Sequence, residues 1–165
     1  MATIKSQQQK ITACLWFDKN AEEAAQFYTS VFKKSKVGAM SYYGEGAPMP
    51  KGTVLTVQFQ LEGQKFLALN GGPMFKFTEA ISFVVNCKTQ NEIDYFWEEL
   101  SRDGEKQQCG WLKDKYEVSW QVVPSTISTM MTAKDTKKSS RVMQALLKMN
   151  KLDIKILNEA FQGRK

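Results

Sequence analysis

Short apolar runs alternate with amphipathic stretches along the chain, and their order predicts a mixture of strands and helices. The run Lys10 to Phe17 (KITACLWF) suits a buried strand. Residues 20–32 then place apolar side chains at helical spacing behind Asn20, a residue type that caps helices. Three more strands are predicted in KVGAMSYYG, TVLTVQFQL and QKFLALN, the last two joined by the hairpin signal Glu62-Gly63. The first half therefore reads β-α-β-β-β.

The second half repeats this order. A strand is predicted at Ala80 to Cys87 (AISFVVNC), followed by a helix that Thr89 can cap and that ends near Gly104. The segment Cys109 to Pro124 (CGWLKDKYEVSWQVVP) reads as two short strands joined by a charged turn. An offset of 70 residues places the strands and helices of one half on those of the other. The sequence thus predicts an α+β domain at residues 10–124, built from the repeats 10–73 and 79–124.

A basic C-terminal extension at residues 125–165 follows. STISTMM predicts a helical turn, TAKDTKKSSR a polar linker, and Ser139 or Ser140 can cap two short helices in RVMQALLKMNKLDIKILNEAF. The net charge of +6 lies in this tail, because residues 1–132 hold 14 basic and 14 acidic residues and residues 133–165 hold 9 and 3. Its cations could contact phosphates, but a charge run is more typical of a solvated face. Nucleic-acid binding is therefore disfavoured.

The composition excludes several kinds of chemistry. Histidine is absent, which removes Ser-His-Asp and Cys-His hydrolases and zinc sites that need imidazole. Cys14, Cys87 and Cys109 lie far apart in the sequence, so neither a disulfide framework nor a zinc knuckle is expected. The N-terminus lacks the apolar stretch of a signal peptide, and no apolar run approaches the roughly 18 residues of a membrane span. A soluble, cytoplasmic protein with reduced thiols is expected.

Four blocks carry a family resemblance: CLWFDKNAEEAAQFYTSVF, FLALNGGPMFKFTEAISFVVNC, CGWLKDKYEVSWQVVP and RVMQALLKMNKLDIKILNEAF. With the doubled β-α-β-β-β unit, they resemble the PhnB-like branch of the vicinal oxygen chelate superfamily, which includes glyoxalase I, the fosfomycin resistance enzymes and the bleomycin-sequestering proteins. The resemblance runs from about residue 10 to residue 162. It implies two half barrels, terminal helices that pack on the domain or a partner subunit, and a homodimer. Many members of the branch carry the label 3-demethylubiquinone-9 3-methyltransferase.

The resemblance also implies where a metal would be bound. In metal-dependent relatives, the first and last strands of each repeat supply His, Glu or Gln ligands. The matching positions here fall near Thr12 or Ala13, near Ala68, near Ala80 or Ser82, and on Gln121. Only Gln121 could coordinate, and one neutral amide does not hold a divalent ion. The implied site is therefore metal-free, and no cofactor is expected.

In place of the metal, the resemblance and strand alternation together predict a pocket for a small organic molecule. Alternation places Gln121, Ser119 and Val123 on the inner face of the last strand. The pocket residues expected are Thr12, Cys14, Trp16, Tyr43, Asn70, Phe75, Ser82, Asn86, Trp111 and Gln121. Two alternatives stay open: Gln121 as a buried amide bonded to backbone, and the segment NGGPMFKF as a plain connector.

Two further classes of function compete with binding. A methyltransferase of the common nucleotide-binding type should show a Gly-rich loop after a strand, and none follows Phe17 or Cys87. An enzyme with other chemistry could use Tyr43 or Glu45 as its base. A tail-driven interaction module is the third class, and deletion of residues 133–165 should abolish its salt-sensitive binding to polyanions.

Overall fold

The computed structural model describes residues 9–164, and the chain divides into two compact units. The first unit ends at Lys76, and the second begins at Phe77. Residues 1–8, in which no signal peptide is expected, and Lys165 lie outside the described residues.

The first unit is a four-stranded sheet with one helix. Its elements are β1 (Ala13–Phe17), α1 (Ala21–Val31), β2 (Lys36–Tyr42), β3 (Val54–Leu61) and β4 (Gln64–Asn70). The sheet order is β1-β4-β3-β2, in which β1 and β4 are parallel and the other neighbours are antiparallel. Glu62 and Gly63 form the predicted hairpin turn with φ angles of 46° and 91°. Positive φ at both central residues matches the twist of the flanking strands.

The second unit repeats the same topology and adds three helices. Its elements are β5 (Phe83–Cys87), α2 (Gln90–Ser101), β6 (Glu105–Lys106), β7 (Trp111–Lys113), β8 (Ser119–Pro124), α3 (Ile127–Met131), α4 (Thr136–Leu146) and α5 (Ile154–Gln162). The order β5-β8-β7-β6, with β5 and β8 parallel, is that of the first sheet. The predicted doubled βαβββ unit is confirmed, and β5 lies 70 residues after β1, as Phe83 follows Ala13.

In the first unit, α1 covers one face of the sheet. The Tyr28 ring stacks on Phe59 of β3, with 6.0 Å between the ring centroids. On β1, Leu15 and Phe17 are buried, while Cys14 is exposed and Trp16 is partly exposed, as strand alternation requires. The sheet face opposite the helix is called the open face, and it carries Cys14 and Trp16 of β1.

The second sheet has the same two-sided pattern. Helix α2 buries Ile93, Trp97 and Leu100 and packs against β8, where Trp120 and Val122 are buried. Gln121 is partly exposed on the opposite, open face. Ser119 and Val123, predicted on the same inner face as Gln121, are buried, at 2% and 7% exposed, so Gln121 alone on β8 is accessible on this face.

The caps of two helices differ from the sequence prediction. Asn20 makes no capping bond with its side chain, and the Asn70 amide oxygen accepts a hydrogen bond from Ala21 N at 2.8 Å instead. Helix α4 is capped by Asp135, which accepts from Lys137 N at 3.0 Å, so Ser139 lies inside the helix. The free backbone N–H groups at the start of α1 and α4 are therefore bonded by Asn70 and Asp135 and not by the predicted caps Asn20 and Ser139. The predicted cap at Thr89 is confirmed, since it accepts from Glu92 N at 3.2 Å.

The C-terminal helices share a core with the end of β8. Val123 clusters with Met130, Val142, Leu152 and Leu157, all at most 7% exposed. The loop before β7 is also bonded to the α4–α5 connection: Cys109 N donates to Met149 O at 2.8 Å, and Gly110 N donates to Asn150 O at 2.7 Å. The helices are therefore an integral part of the second unit.

Candidate ligand-binding site

On the open face of the first sheet, Trp16 is held against the segment that follows β4. Its indole Nε1 donates to Gly72 O at 2.8 Å, and the Phe75 ring meets it edge-on with 4.9 Å between centroids. A Cβ atom on Gly71 would lie 2.3 Å from the indole ring, so glycine is required for this approach. Phe75 keeps 58% of its surface exposed. The two rings form an apolar edge, in which the Trp16 indole N–H is already bonded to Gly72 O.

Cys14 and Thr12 lie beside this aromatic edge. In the register of the parallel pair, Cys14 is opposite Leu67 and Trp16 is opposite Leu69, so the four side chains share the open face. Thr12 precedes β1 and is exposed. This part of the face is mainly apolar.

The side chain of Asn70 is turned into the fold. Asn70 is 5% exposed, and its amide caps α1 at Ala21 N while its Nδ2 donates to Val54 O at 2.9 Å. The Tyr43 hydroxyl donates to the Asn70 carbonyl oxygen at 2.6 Å. Asn70 was predicted to line the pocket. Its side chain instead lies inside the fold, where it links β4 to α1 and β3.

Glu45, which was predicted with Tyr43 as a candidate base, is on the surface. Glu45 is exposed and pairs with Lys51 at 2.5 Å. An ion pair between two exposed side chains contributes little to stability.

In the second unit, the structure joins two of the predicted pocket residues. Gln121 Nε2 donates to Ser82 Oγ at 2.9 Å, and both side chains are partly exposed. The cross-strand neighbours of Gln121 are Val84 on β5 and Trp111 on β7. Asn86 lies two residues beyond Val84 and is exposed. Gln121 is thus paired with a side chain, which differs from the alternative of a buried amide bonded to backbone.

These positions do not form a set of metal ligands. They offer one neutral amide, Gln121, and the hydroxyls of Ser82 and Thr12, with no carboxylate or imidazole at these positions. Ala68 is fully buried on the helix side of β4, which corrects its placement on the inner face, since Leu67 and Leu69 point there instead. Within residues 9–164, no cluster of three or more His, Cys, Asp or Glu side chains could hold a metal ion. The donor chemistry at the matched positions does not fit a divalent cation.

A buried carboxylate was missed by the sequence reasoning. Asp114, in the turn between β7 and β8, is 2% exposed. Its Oδ1 accepts from Tyr116 N at 2.8 Å and Val118 N at 3.1 Å, and its Oδ2 accepts from Trp120 Nε1 at 2.8 Å. Aspartate side chains often accept hydrogen bonds from the backbone N–H groups that follow them in a turn, so Asp114 in DKYEV could have been predicted as a turn residue. Asp114 fixes the turn that sets the register of β8.

The thiols differ in accessibility. Burial, and next the charge of Glu92, raises the pKa of Cys87 from 9.0 to about 12, and partial burial raises the pKa of Cys14 as well. At pH 8 about one Cys87 in 10⁴ would be a thiolate. Cys87 is therefore unsuited to nucleophilic chemistry.

We expect iodoacetamide at pH 8 to leave Cys87 unmodified in the folded protein while it alkylates the exposed Cys14. Because burial both excludes the reagent from Cys87 and raises the pKa of its thiol, Cys87 should react far more slowly than Cys14 while the fold persists. Peptide mass mapping measures both rates, and the same protein in urea is the control. Equal rates for Cys87 with and without urea would contradict this expectation.

The C-terminal helices use several of their basic groups within the fold. Arg141 donates from Nε to Ala160 O at 2.7 Å and from Nη2 to Phe161 O at 2.9 Å. Lys138 lies 5.3 Å above the Phe161 ring, and Lys151 pairs with Asp94 of α2 at 2.7 Å. Part of the basic tail thus has a structural role.

A groove that the sequence did not predict runs beside α5 and the start of α2. Its volume is about 550 Å³, and its lining is mostly polar: Lys88, Thr89, Gln90, Asp153, Ile154, Lys155, Asn158, Glu159, Gln162 and Arg164. Its backbone donors are already engaged, since Gln90 Oε1 accepts from Ile154 N at 2.9 Å and Asp153 from Ile156 N at 3.0 Å. Lys88, Lys155 and Arg164 lie in this lining together with Asp153 and Glu159, so the groove carries charges of both signs.

Across residues 9–164, no helix has both the length and the apolar character needed to cross a bilayer.

Comparison with known proteins places the chain in a family. Residues 9–123 match the model of the 3-demethylubiquinone-9 3-methyltransferase family, so the C-terminal helices lie beyond the matched residues. The PhnB protein from Bacillus cereus is 41% identical over 70% of this chain and 99% of that chain, with a TM-score of 0.65. Protein PA1353 from Pseudomonas aeruginosa is 19% identical over 70% and 96% of the two chains, with a TM-score of 0.57, and has the same fold. A comparison with curated proteins gave no match. The chain therefore belongs to the 3-demethylubiquinone-9 3-methyltransferase family and is a PhnB-like protein.

Proposed function

We propose that this protein binds a small organic molecule without a metal ion, as a cytoplasmic homodimer. One observation carries the proposal: Gln121 and Ser82, which match metal-ligand positions of the second repeat, are bonded to each other at 2.9 Å. An amide and a hydroxyl together offer two neutral oxygens, too few for a divalent cation, but they can donate and accept hydrogen bonds with an organic ligand.

The surroundings of this pair support the proposal. Trp111 and Val84 flank Gln121 on the second sheet. In the first unit, taken by itself, Trp16 and Phe75 form an aromatic edge. A few hydrogen-bonding groups among apolar walls are typical of sites for small organic molecules. Asn86 belongs to the proposed lining on the second sheet. Thr12, Cys14 and Tyr43 belong to that of the first unit, where Asn70 supports it from inside the fold through its capping bond. The homodimer follows from the family resemblance.

An enzyme with other chemistry is the alternative, and the family label suggests methyl transfer. Tyr43 and Glu45 would be its candidate bases, but each is already engaged, Tyr43 with the Asn70 carbonyl and Glu45 with Lys51. Loss of a measured turnover on Glu45→Gln would favour this alternative. Stoichiometric binding without turnover favours the binding protein.

Native mass spectrometry of the untagged protein as purified tests the proposal. We expect a mass of two chains plus an organic adduct and no metal. The same sample, denatured, gives the chain mass to subtract and releases the adduct for identification. One divalent ion per chain would contradict the metal-free site, and a monomer without any adduct would contradict both the dimer and the bound ligand.

A further inference from the structure

On the open face of the second sheet, one polar side chain lies between two apolar ones. Val84, Gln121 and Trp111 are directly opposite one another on β5, β8 and β7. Neighbouring strands are about 4.8 Å apart, so the row spans about 10 Å, roughly the width of one aromatic ring with a substituent. Val84 is 50% exposed, and Gln121 and Trp111 are partly exposed. A planar molecule lying on this row would contact apolar surface on both sides of the amide.

The hydrogen bond to Ser82 leaves a defined set of groups for a ligand. A glutamine amide has two N–H donors and one acceptor oxygen, and a serine hydroxyl both donates and accepts. Gln121 uses one N–H to reach the Ser82 oxygen. Within the described residues neither side chain makes another hydrogen bond, so the Gln121 Oε1 acceptor and the Ser82 hydroxyl donor remain. An acceptor beside a donor is complementary to a ligand edge that carries a donor beside an acceptor.

The row itself has no charge. Ionisable side chains are absent from Val84, Gln121, Trp111 and Ser82, and the nearest cation along β7 is Lys113, two residues from Trp111. Lys113 is paired with Glu79 at 2.7 Å, which lowers the pKa of Glu79 and raises that of Lys113. Both partners are thus held in their charged, mutually neutralising forms. A carboxylate or ammonium on the ligand would find no free counter-charge here and would lose hydration.

We propose that this row, called the amide row (Val84, Gln121, Trp111 and Ser82), recognises uncharged planar carboxamides or lactams, with the ligand N–H on Gln121 Oε1 and the ligand C=O on the Ser82 hydroxyl. This specificity rests on the proposed binding function and names the class of molecule that it would accept. At the positions that match metal ligands in relatives, the chain then uses hydrogen bonding to an amide instead of coordination.

The test compares three one-ring probes of similar size: benzamide, benzoate and toluene. Dissociation constants are measured by saturation-transfer NMR for the full chain and for Gln121→Leu, Ser82→Ala and the control Gln26→Leu. Gln26 is an exposed glutamine on α1, so its variant repeats the same chemical change away from the row. Circular dichroism confirms that each variant is folded.

We expect benzamide to bind more tightly than benzoate. Gln121→Leu should weaken benzamide about tenfold, and Ser82→Ala should weaken it several-fold, as loss of one or two hydrogen bonds implies. Toluene should bind the variants as it binds the wild type, and Gln26→Leu should change nothing. If Gln121→Leu does not fold, the Ser82→Ala comparison decides alone.

Two outcomes overturn the inference while leaving the binding function in place. They are benzoate binding as tightly as benzamide, and benzamide binding that is unchanged in both amide-row variants. Failure of all three probes to bind the wild type at millimolar concentration, together with no adduct in native mass spectrometry, would contradict the proposed function as well.

Discussion

Replacement of Asp114 by asparagine is expected to lower the free energy of unfolding by about 3 kcal/mol. The carboxylate is 2% exposed and accepts from Tyr116 N, Val118 N and Trp120 Nε1. Asparagine has nearly the same shape, and its single oxygen can still accept from the two backbone donors. Its NH₂ group would then face the Trp120 indole N–H, so two buried donors would oppose each other.

A double-mutant cycle with Trp120→Phe isolates this contact. Phenylalanine removes the indole donor, so Asp114→Asn should cost clearly less in the Trp120→Phe protein than in the wild type. Chemical denaturation at constant pH measures each free energy of unfolding. An equal cost of Asp114→Asn in both proteins would contradict the role given to the indole bond.

Replacement of Gly110 by alanine is also expected to cost about 3 kcal/mol, through two separate effects. Gly110 has a φ of 81°, and a Cβ atom there would lie 2.7 Å from Val122 O and 3.2 Å from the Leu152 side chain. The carbonyl belongs to β8, where Val122 N also donates to Gly110 O at 2.8 Å, so the backbone has little freedom to move away. Leu152, in the connection between α4 and α5, is fully buried and therefore also has little room to move.

Gly52→Ala is the matched control, because Gly52 has a φ of 88° but open space where the Cβ atom would be. It should cost only about 1 kcal/mol, the price of the left-handed conformation for alanine. The difference between the two variants measures steric overlap at the junction of β7, β8 and α5. Equal costs in thermal or chemical denaturation would show that Gly110 is constrained by its φ angle alone.

The alternation of apolar residues was sufficient to predict much of the secondary structure. The apolar positions of β1 and β8 and the helical spacing in α1 and α2 are local features, and these elements were found near their predicted places. Strand β6 was not predicted, and α4 begins inside TAKDTKKSSR, which was predicted as a linker. The 70-residue repeat could be predicted for the same reason, although few residues are identical between the halves. Boundaries were less accurate: the strand predicted from Lys10 begins at Ala13, and that predicted from Ala80 begins at Phe83.

Partners distant in sequence could not be predicted in this way. Asn70 caps a helix that begins 49 residues earlier, and Gln121 bonds to a serine 39 residues before it. The predicted cap at Asn20 was wrong, and near Ala68 the residues on the open face are Leu67 and Leu69, because several nearby residues fit the same local rule. Which of them is used depends on the pairing of β1 with β4 and of β5 with β8.

The sequence by itself thus determined the order of elements, their buried faces, the lack of imidazole chemistry and the concentration of basic charge in the tail, because composition and periodicity are properties of short segments. Only the tertiary structure decided that the Gln121 amide meets Ser82 between Val84 and Trp111, that Asp114 is buried, and that the tail helices share a core with Val123. These depend on strand register and on packing between distant segments, which fix side-chain contacts only when the sheets have formed.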